Sequence, residues 1–97
     1  DTEIGPGFKV LLTPGHAPGQ ISIELQLPKT GLTLLTSDSI SRPSECNDGF
    51  EGSWNEDRAK ENFVRLMDRA KRLDAFVIFG HSPDQWPKLR KTPKYYS

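Results

Sequence analysis

The sequence has one cysteine, no net charge and no long apolar run, and each shortage excludes a class of protein. Cys46 has no second cysteine for an internal disulfide, and its polar surroundings predict an inert loop thiol. Thirteen basic residues balance thirteen acidic ones, so no charge excess favours nucleic acid or an anionic membrane as a partner. The longest apolar run, 75–79, is far shorter than the ~20 residues of a membrane span. We expect a soluble, cytoplasmic protein.

The length and the N-terminal residues limit the possible domain organisation. At 97 residues the chain is one domain or a piece of one. A chain of this size buries only about 60–65% of its unfolded surface, so a partner surface would add considerably to its stability. Residues 1–7 contain two glycines and one proline, which predicts a lead-in or linker. The domain itself is expected to occupy residues 8–97.

Three strands are predicted in the first third of the chain. The apolar run 8–12 ends at the Thr-Pro-Gly of 13–15, because proline cannot continue a hydrogen-bonded ladder. Residues 20–27 alternate strictly between polar and apolar, which is the period of a half-buried strand. The Pro-Lys-Thr-Gly of 28–31 suits a turn, and 32–36 is expected to return as an antiparallel partner.

The second half predicts a loop, a helix, a buried strand and a short helix. Residues 39–54 are polar and interrupted by proline and glycine, which indicates a long loop. Ser53 and Glu56 form a capping-box pattern, and apolar residues then recur at helical spacing as far as Leu73. The run 75–79 does not alternate, as in a strand covered on both faces, and a short helix is expected at 83–86. The predicted fold is α/β: a mixed sheet of about four strands, one main helix and a short C-terminal helix.

Three metal-capable side chains follow strand-like runs. His16 comes after the first strand, Asp38 after 32–36, and His81 after 75–79. Zinc-type sites take three or four ligands from His, Asp, Glu or Cys, and these residues form the only ordered trio of this kind. They are far apart in sequence, so only tertiary folding can bring them together. The alternative for each is a surface histidine, a cap or a turn-forming aspartate.

Three motifs in this order resemble a known family. Thr-Pro-Gly-His-Ala-Pro-Gly (13–19), Leu-Leu-Thr-Ser-Asp (34–38) and Gly-His (80–81) look like the C-terminal half of the metallo-β-lactamase superfamily. The Asp-Gln-Trp of 84–86, with Leu89, Pro93 and Tyr95 beyond, is similar to the N-acyl-homoserine lactonase branch. The resemblance runs from about Phe8 to Tyr96.

That resemblance implies a fold, a cofactor and a reaction. The fold is an αβ/βα sandwich of two similar halves with the metal site at the edge of the sheets. His16 would bind one zinc ion, His81 a second, and Asp38 would bridge both and be central to catalysis. A metal-bound hydroxide would open the lactone ring of an N-acyl-homoserine lactone. The family's His-x-His-x-Asp-His motif is absent, since His16 and His81 are the only histidines, so the isolated chain is expected to be an inactive fragment that binds zinc weakly or not at all.

Two other functions stay open. Lactonases of this branch commonly carry a tyrosine three residues after the bridging aspartate, and Ser41 stands there instead. A thioesterase or glyoxalase-II-like hydrolase of the same superfamily would share the metal site and differ in its pocket. A non-catalytic truncated domain that pairs with another chain is the third reading. The expected partners are thus a small ester or lactone and either a missing N-terminal half or a second chain.

Overall fold

The computed structural model describes residues 1–45, 49–50 and 52–97. The described chain forms strands β1 (Thr2–Gly5), β2 (Phe8–Leu12), β3 (Ile21–Leu27), β4 (Gly31–Ser37) and β5 (Phe76–Phe79), helix α1 (Glu56–Leu73) and a 3₁₀ helix (Trp86–Lys88). No helix in these ranges is long and apolar enough to cross a membrane. The thiol of Cys46 lies outside the described residues.

The sheet has the order β1-β2-β3-β4-β5. The first four strands are antiparallel neighbours, and β5 pairs parallel to β4. A parallel pair needs a long crossover connection, which here contains α1. Strands β2, β4 and β5 therefore run in one direction, and their C-terminal ends lie at the same edge of the sheet. The prediction of a mixed sheet with one main helix is confirmed, with five strands instead of about four.

The core lies between α1 and one face of the sheet. Its buried apolar residues are Leu11, Leu34, Ile40, Phe50, Ala59, Phe63, Leu66 and Ala70. The four that come from α1 recur at the spacing of one helical face, as the sequence predicts. Phe50 and Phe63 meet edge to face, with ring centroids 5.7 Å apart, so the loop before α1 contributes to the core. Leu73, at the end of α1, is exposed.

The polar side of β3 is the side buried beneath α1. Ser22 and Glu24 are 0% and 8% exposed, whereas Ile21 is 40% exposed. Arg69 explains the burial of the carboxylate, since its Nε and Nη2 donate to the two oxygens of Glu24 at 2.6 and 3.0 Å. This hydrogen bonding holds the pKa of Glu24 below its ordinary value, although burial acts in the opposite direction.

The opposite face of the sheet is apolar and has little cover. We call it the open face, and its members are Phe8, Val10, Leu12, Ile21, Ile23, Leu25, Leu35 and Ile78. Leu12 and Ile21 are cross-strand partners that are 52% and 40% exposed. Residues paired across a ladder lie on the same side of a sheet, so the set is contiguous. At one end the C-terminal tail reaches the sheet, where Tyr96 contacts Phe76 with ring centroids 5.2 Å apart.

Four local predictions need correction. Residues 2–5 form an edge strand on β2 instead of a linker, because their backbone pairs with that strand despite the nearby glycines and proline. The N-cap of α1 is Asn55 and not Ser53, since the Asn55 side chain accepts from the Arg58 N–H. Strand β5 is an edge strand that is only half-buried, so it is not covered on both faces. The short C-terminal helix spans 86–88 instead of 83–86.

Replacing Arg69 by Met is expected to lower the free energy of unfolding by about 1–3 kcal/mol at neutral pH, because Glu24 is left buried and unpaired. The pKa of Glu24 is lowered in the folded state, so its stabilisation is present above the carboxyl group's ordinary value of 4.5 and is lost as the pH falls through the folded value. The difference between wild type and variant should therefore shrink in acid, as measured by urea denaturation at several pH values.

Arg72→Met is the matched control. Arg72 pairs with Asp68 at 3.0 Å, and both side chains are 63% exposed. Its loss should change the unfolding free energy by less than about 0.5 kcal/mol. Equal effects of the two substitutions would contradict the role given to the buried pair.

Candidate metal centre

His16, Asp38 and His81 converge at one edge of the sheet. His81 Nε2 lies 2.8 Å from Asp38 Oδ1, and His16 Nε2 lies 3.8 Å from Asp38 Oδ2. The common direction of β2, β4 and β5 causes this convergence, because each residue stands in the segment that follows one of these strands. The side chains are 48%, 39% and 71% exposed in sequence order, so the trio forms an open rim and not a buried cluster.

The donor types suit a metal ion, since two imidazoles face one carboxylate. Each oxygen of Asp38 faces a different imidazole nitrogen. His81 and Asp38 are joined by a direct hydrogen bond of 2.8 Å, whereas His16 Nε2 stands 3.8 Å from the other carboxylate oxygen. The trio offers each ion one imidazole and a share of Asp38, which is fewer than the three or four ligands of zinc sites. Within the described ranges no group of three His, Cys, Asp or Glu side chains is placed to hold an ion by itself.

Helix α1 holds the loop that carries His16. The buried side chain of Asn62 donates from Nδ2 to the carbonyl of Pro14 at 2.6 Å. Near the start of the helix, the N–H groups of Asn55 and Trp54 donate to the carbonyls of Gly15 and His16 at 2.8 and 3.1 Å. Donors in α1 and in the two residues before it thus bind three successive carbonyls of the loop. These hydrogen bonds fix the backbone from which His16 projects.

Gly15 is required for this close approach. Its φ is +152°, and a side chain there would collide with the backbone of Ala59 in α1. From the sequence, the Pro-Gly pair was identified as a strand end and as part of the 13–19 motif, but this close approach was not predicted. Asn62 was also missed, although a signal existed: it falls on the same helical stripe as the buried Ala59, Phe63 and Leu66.

Backbone contacts also set the separation of Asp38 and His81. The N–H groups of Gly80 and His81 donate to the carbonyls of Ile40 and Ser41 at 3.2 and 2.8 Å. Ser37 adopts a left-handed φ of 51°, next to an irregularity in the β4–β5 register. Gly80 packs so tightly on Ser37 that a Cβ at this position would overlap its carbonyl. The two segments therefore meet through backbone atoms.

Gln85 completes the outer edge of β5. Its Oε1 accepts from the Phe79 N–H at 3.0 Å, and its Nε2 donates to the Val77 carbonyl at 2.6 Å. One side-chain amide thereby takes the place of a neighbouring strand. These two hydrogen bonds tie the segment that contains His81 back to β5. In the sequence analysis, Gln85 entered only as part of the motif at residues 84–86.

A cleft of about 330 Å³ adjoins His81. Phe79, Pro83, Trp86 and Leu89 supply much of its apolar lining. Trp86 is 61% exposed and Trp54 is 56% exposed, so both tryptophans lie at the surface instead of in the core. An apolar cleft beside an imidazole can receive the hydrocarbon part of a small molecule whose polar end lies at the rim.

Comparison with known sequences identifies homologues. No protein-family model matches the chain. It is 38% identical over 90 residues to the N-acyl homoserine lactonase AttM of Azorhizobium caulinodans and 33% identical over 97 residues to the N-acyl homoserine lactonase of Bacillus cereus. These matches cover 89% and 98% of the chain but 34% and 38% of the relatives. The chain thus spans about a third of the length of these curated relatives.

Comparison with solved structures agrees. An N-acyl homoserine lactone hydrolase with N-hexanoyl-L-homoserine bound at its catalytic metal centre matches with a TM-score of 0.90 and 31% identity, over 98% of this chain and 38% of that one. The dizinc quorum-quenching lactonase AidC matches with a TM-score of 0.73 over 96% of this chain and 33% of that one. Its identity of 22% supports the fold alone.

Replacing Gly80 by Ala is expected to push the His81 segment away from Ser37, because neither backbone can yield locally. The unfolding free energy should fall by about 1–3 kcal/mol, and the His81 amide should exchange faster as its bond to Ser41 weakens. Gly5→Ala is the control, since nothing lies within 4 Å of its added Cβ. Unchanged exchange at His81 in Gly80→Ala would show that this approach does not position the histidine.

Proposed function

We propose that this chain, a homologue of the C-terminal part of N-acyl homoserine lactonases, belongs to the metallo-β-lactamase superfamily and supplies one side of a dinuclear zinc centre that hydrolyses a lactone. The predicted resemblance to these lactonases is confirmed by the homologues, and the predicted fold by the solved structures. The observation that carries the proposal is the placement of two imidazoles on separate oxygens of one carboxylate. The roles of the three residues as ligands, the zinc pair and the cytoplasmic location remain predictions.

His16 would hold one ion, His81 the other, and Asp38 would contribute one oxygen to each. Metal ions in such a centre would lower the pKa of a bound water towards ~7 and would polarise a substrate carbonyl. The chain's own contribution is to fix the three ligand directions through the backbone contacts of Gly15, Gly80 and their neighbours. The exposed rim leaves room for further ligands from another segment and for the substrate.

The cleft beside His81 suits the acyl part of the substrate. Trp86 and Leu89 offer apolar surface a few residues beyond the candidate ligand, while the rim offers polar groups for the lactone. Ser41 engages His81 through its carbonyl, and its short side chain cannot reach as far as the tyrosine common at this position in lactonases. A thioester or another ester is therefore the alternative substrate, and it differs in the pocket and not in the metal ligands.

The open face supports a proposal about the partner. Its apolar residues continue across β2, β3, β4 and β5, and exposed patches of this kind mark interaction sites. The relatives contain about twice as much additional sequence as this chain covers. We infer that a further segment like theirs, or in its absence a second copy of the chain, packs on the open face.

The test of the activity uses the 97-residue chain alone and fused behind the part of the Azorhizobium lactonase that it does not match. Alone, it should bind zinc more weakly than micromolar and show no turnover, since two ligands per ion are too few. The folded fusion should bind zinc at micromolar or tighter concentration and hydrolyse an N-acyl homoserine lactone. A thioester assayed in parallel separates the two substrate classes.

Asp38→Asn in the fusion is the control, because amide nitrogen cannot bind a cation as the second carboxylate oxygen does. It should abolish turnover while the circular dichroism spectrum is kept. Turnover by the isolated chain, or a folded fusion that neither binds zinc nor hydrolyses ester, thioester or lactone, would overturn the proposal.

A second experiment examines the open face. Light scattering should show that the isolated chain associates, and Leu12→Lys with Ile21→Lys should reduce the association, because two charges then interrupt the apolar surface. Val64→Lys is the matched control, since Val64 is 57% exposed on α1. A wild-type chain that stays monomeric at high concentration would argue against any partner for this face.

A further inference from the structure

A cluster of buried hydroxyl groups lies behind the candidate metal centre. Thr13, Ser22 and Ser39 are 1%, 0% and 4% exposed. Thr13 Oγ1 lies 2.5 Å from Ser39 Oγ and 3.1 Å from Ser22 Oγ. Ser39 Oγ is also within 3.3 Å of the Thr13 carbonyl, to which it can donate. Every member therefore has a hydrogen-bond partner, although the surroundings exclude water.

The positions of these hydroxyls in the chain connect the site's loops. Thr13 begins the loop that carries His16, and Ser39 directly follows Asp38. The Thr13–Ser39 contact is thus a direct side-chain link between the segments of these two candidate ligands. It lies behind the rim, where neither hydroxyl reaches the carboxylate or an imidazole.

A neighbouring hydroxyl extends the link to the third segment. Thr36 Oγ1 donates to the Ile40 carbonyl at 2.8 Å and lies 3.4 Å from the carbonyl of Ile78 in β5. Ser22 Oγ in turn lies 3.4 Å from the Thr36 carbonyl. The polar contacts run from the His16 loop through the Asp38 loop to the strand that precedes His81.

Burial of four hydroxyls needs a physical reason. Valine and alanine have similar shapes, are favoured in cores and require no partners. A fully satisfied polar network fixes one arrangement, because any displacement leaves a buried group without its bond. Apolar contacts tolerate small shifts much better. The benefit of hydroxyls here is therefore a fixed relation between the loops and not a larger hydrophobic core.

We propose that Thr13, through its hydrogen bond to Ser39, is a positioning residue that sets His16 relative to Asp38. The inference rests on the proposed function for its metal-binding consequence. The Thr13 hydroxyl faces Ser22 and Ser39 and does not contact any of the three candidate ligands. It acts on the backbone of the His16 loop, as do the hydrogen bonds that α1 and the residues just before it make to the same loop.

The test compares Thr13→Val, which replaces the hydroxyl by a methyl group of similar size, with Thr13→Ser, which keeps it. Cobalt(II) is titrated into the 97-residue chain, and the ring signals of His16 and His81 are followed separately by NMR. Loss of groups that orient ligands weakens metal affinity about 10- to 100-fold, so we expect Thr13→Val to weaken the His16 response at least about 10-fold and to leave the His81 response within about twofold. Thr13→Ser should restore the wild-type response.

Thr33→Val is the control for a purely structural effect. Thr33 is 2% exposed and lies in β4 near the opposite edge of the sheet, with Oγ1 3.4 Å from the Gly31 carbonyl. It should lower stability without changing either histidine response. If Thr13→Val does not fold, Ser39→Ala removes the other half of the link with little change in volume. It should likewise weaken the His16 response and leave the His81 response nearly unchanged.

A metal-free measurement separates this inference from the proposed function. A crystal structure of Thr13→Val, or of Ser39→Ala, should place His16 Nε2 farther from Asp38 while the His81–Asp38 contact stays. If the isolated wild-type chain binds no cobalt, the distances alone decide the positioning role, and the zinc binding of the fusion decides the proposed metal function. Unchanged distances, or a His16 response equal to that of Thr33→Val, would overturn the inference.

Discussion

The parallel pairing of β5 with β4 is the constraint on which the candidate site depends. It gives β2, β4 and β5 one common direction, so the segments after them leave the sheet at the same edge. If β5 instead continued the antiparallel order, His81 would lie at the far edge from Asp38. Helix α1 makes the parallel pairing possible, because it provides the crossover and covers the sheet on its way.

The same helix holds one of the three segments of the site. The backbone of the His16 loop is bound by groups of α1 and by the turn before it, while the Asp38 and His81 segments are bound to each other through their backbones. The side chains of the candidate ligands contribute little to fixing these segments. Such an arrangement presents donors in fixed directions to an ion instead of depending on the ion to order them, which is what a preorganised centre requires.

Much of this organisation could be predicted from the sequence, and the failures have physical causes. The alternation in 20–27 located a strand correctly, but periodicity alone does not tell which side of the strand faces the helix. The apolar side would usually do so, whereas here the Arg69–Glu24 pair allows the polar side to be buried there. The capping pattern placed the start of α1 within a few residues, while the cap itself was decided by the packing of Asn55 against Gly15. The trio was found because its members follow apolar runs. The structural roles of Gln85 and Thr13 were missed, because both residues entered only as parts of motifs, and Asn62 was missed although it falls on the buried stripe of α1.

We propose that the carboxylate of Asp38 is shared by two ions that His16 and His81 also bind. Anomalous diffraction from zinc-loaded crystals of the lactonase fusion tests it most directly, since it locates each ion without reference to activity. The account predicts two peaks at the rim, one between Asp38 and His16 and the other between Asp38 and His81. Ions bound elsewhere, or a rim without any peak in a folded, zinc-saturated protein, would contradict it.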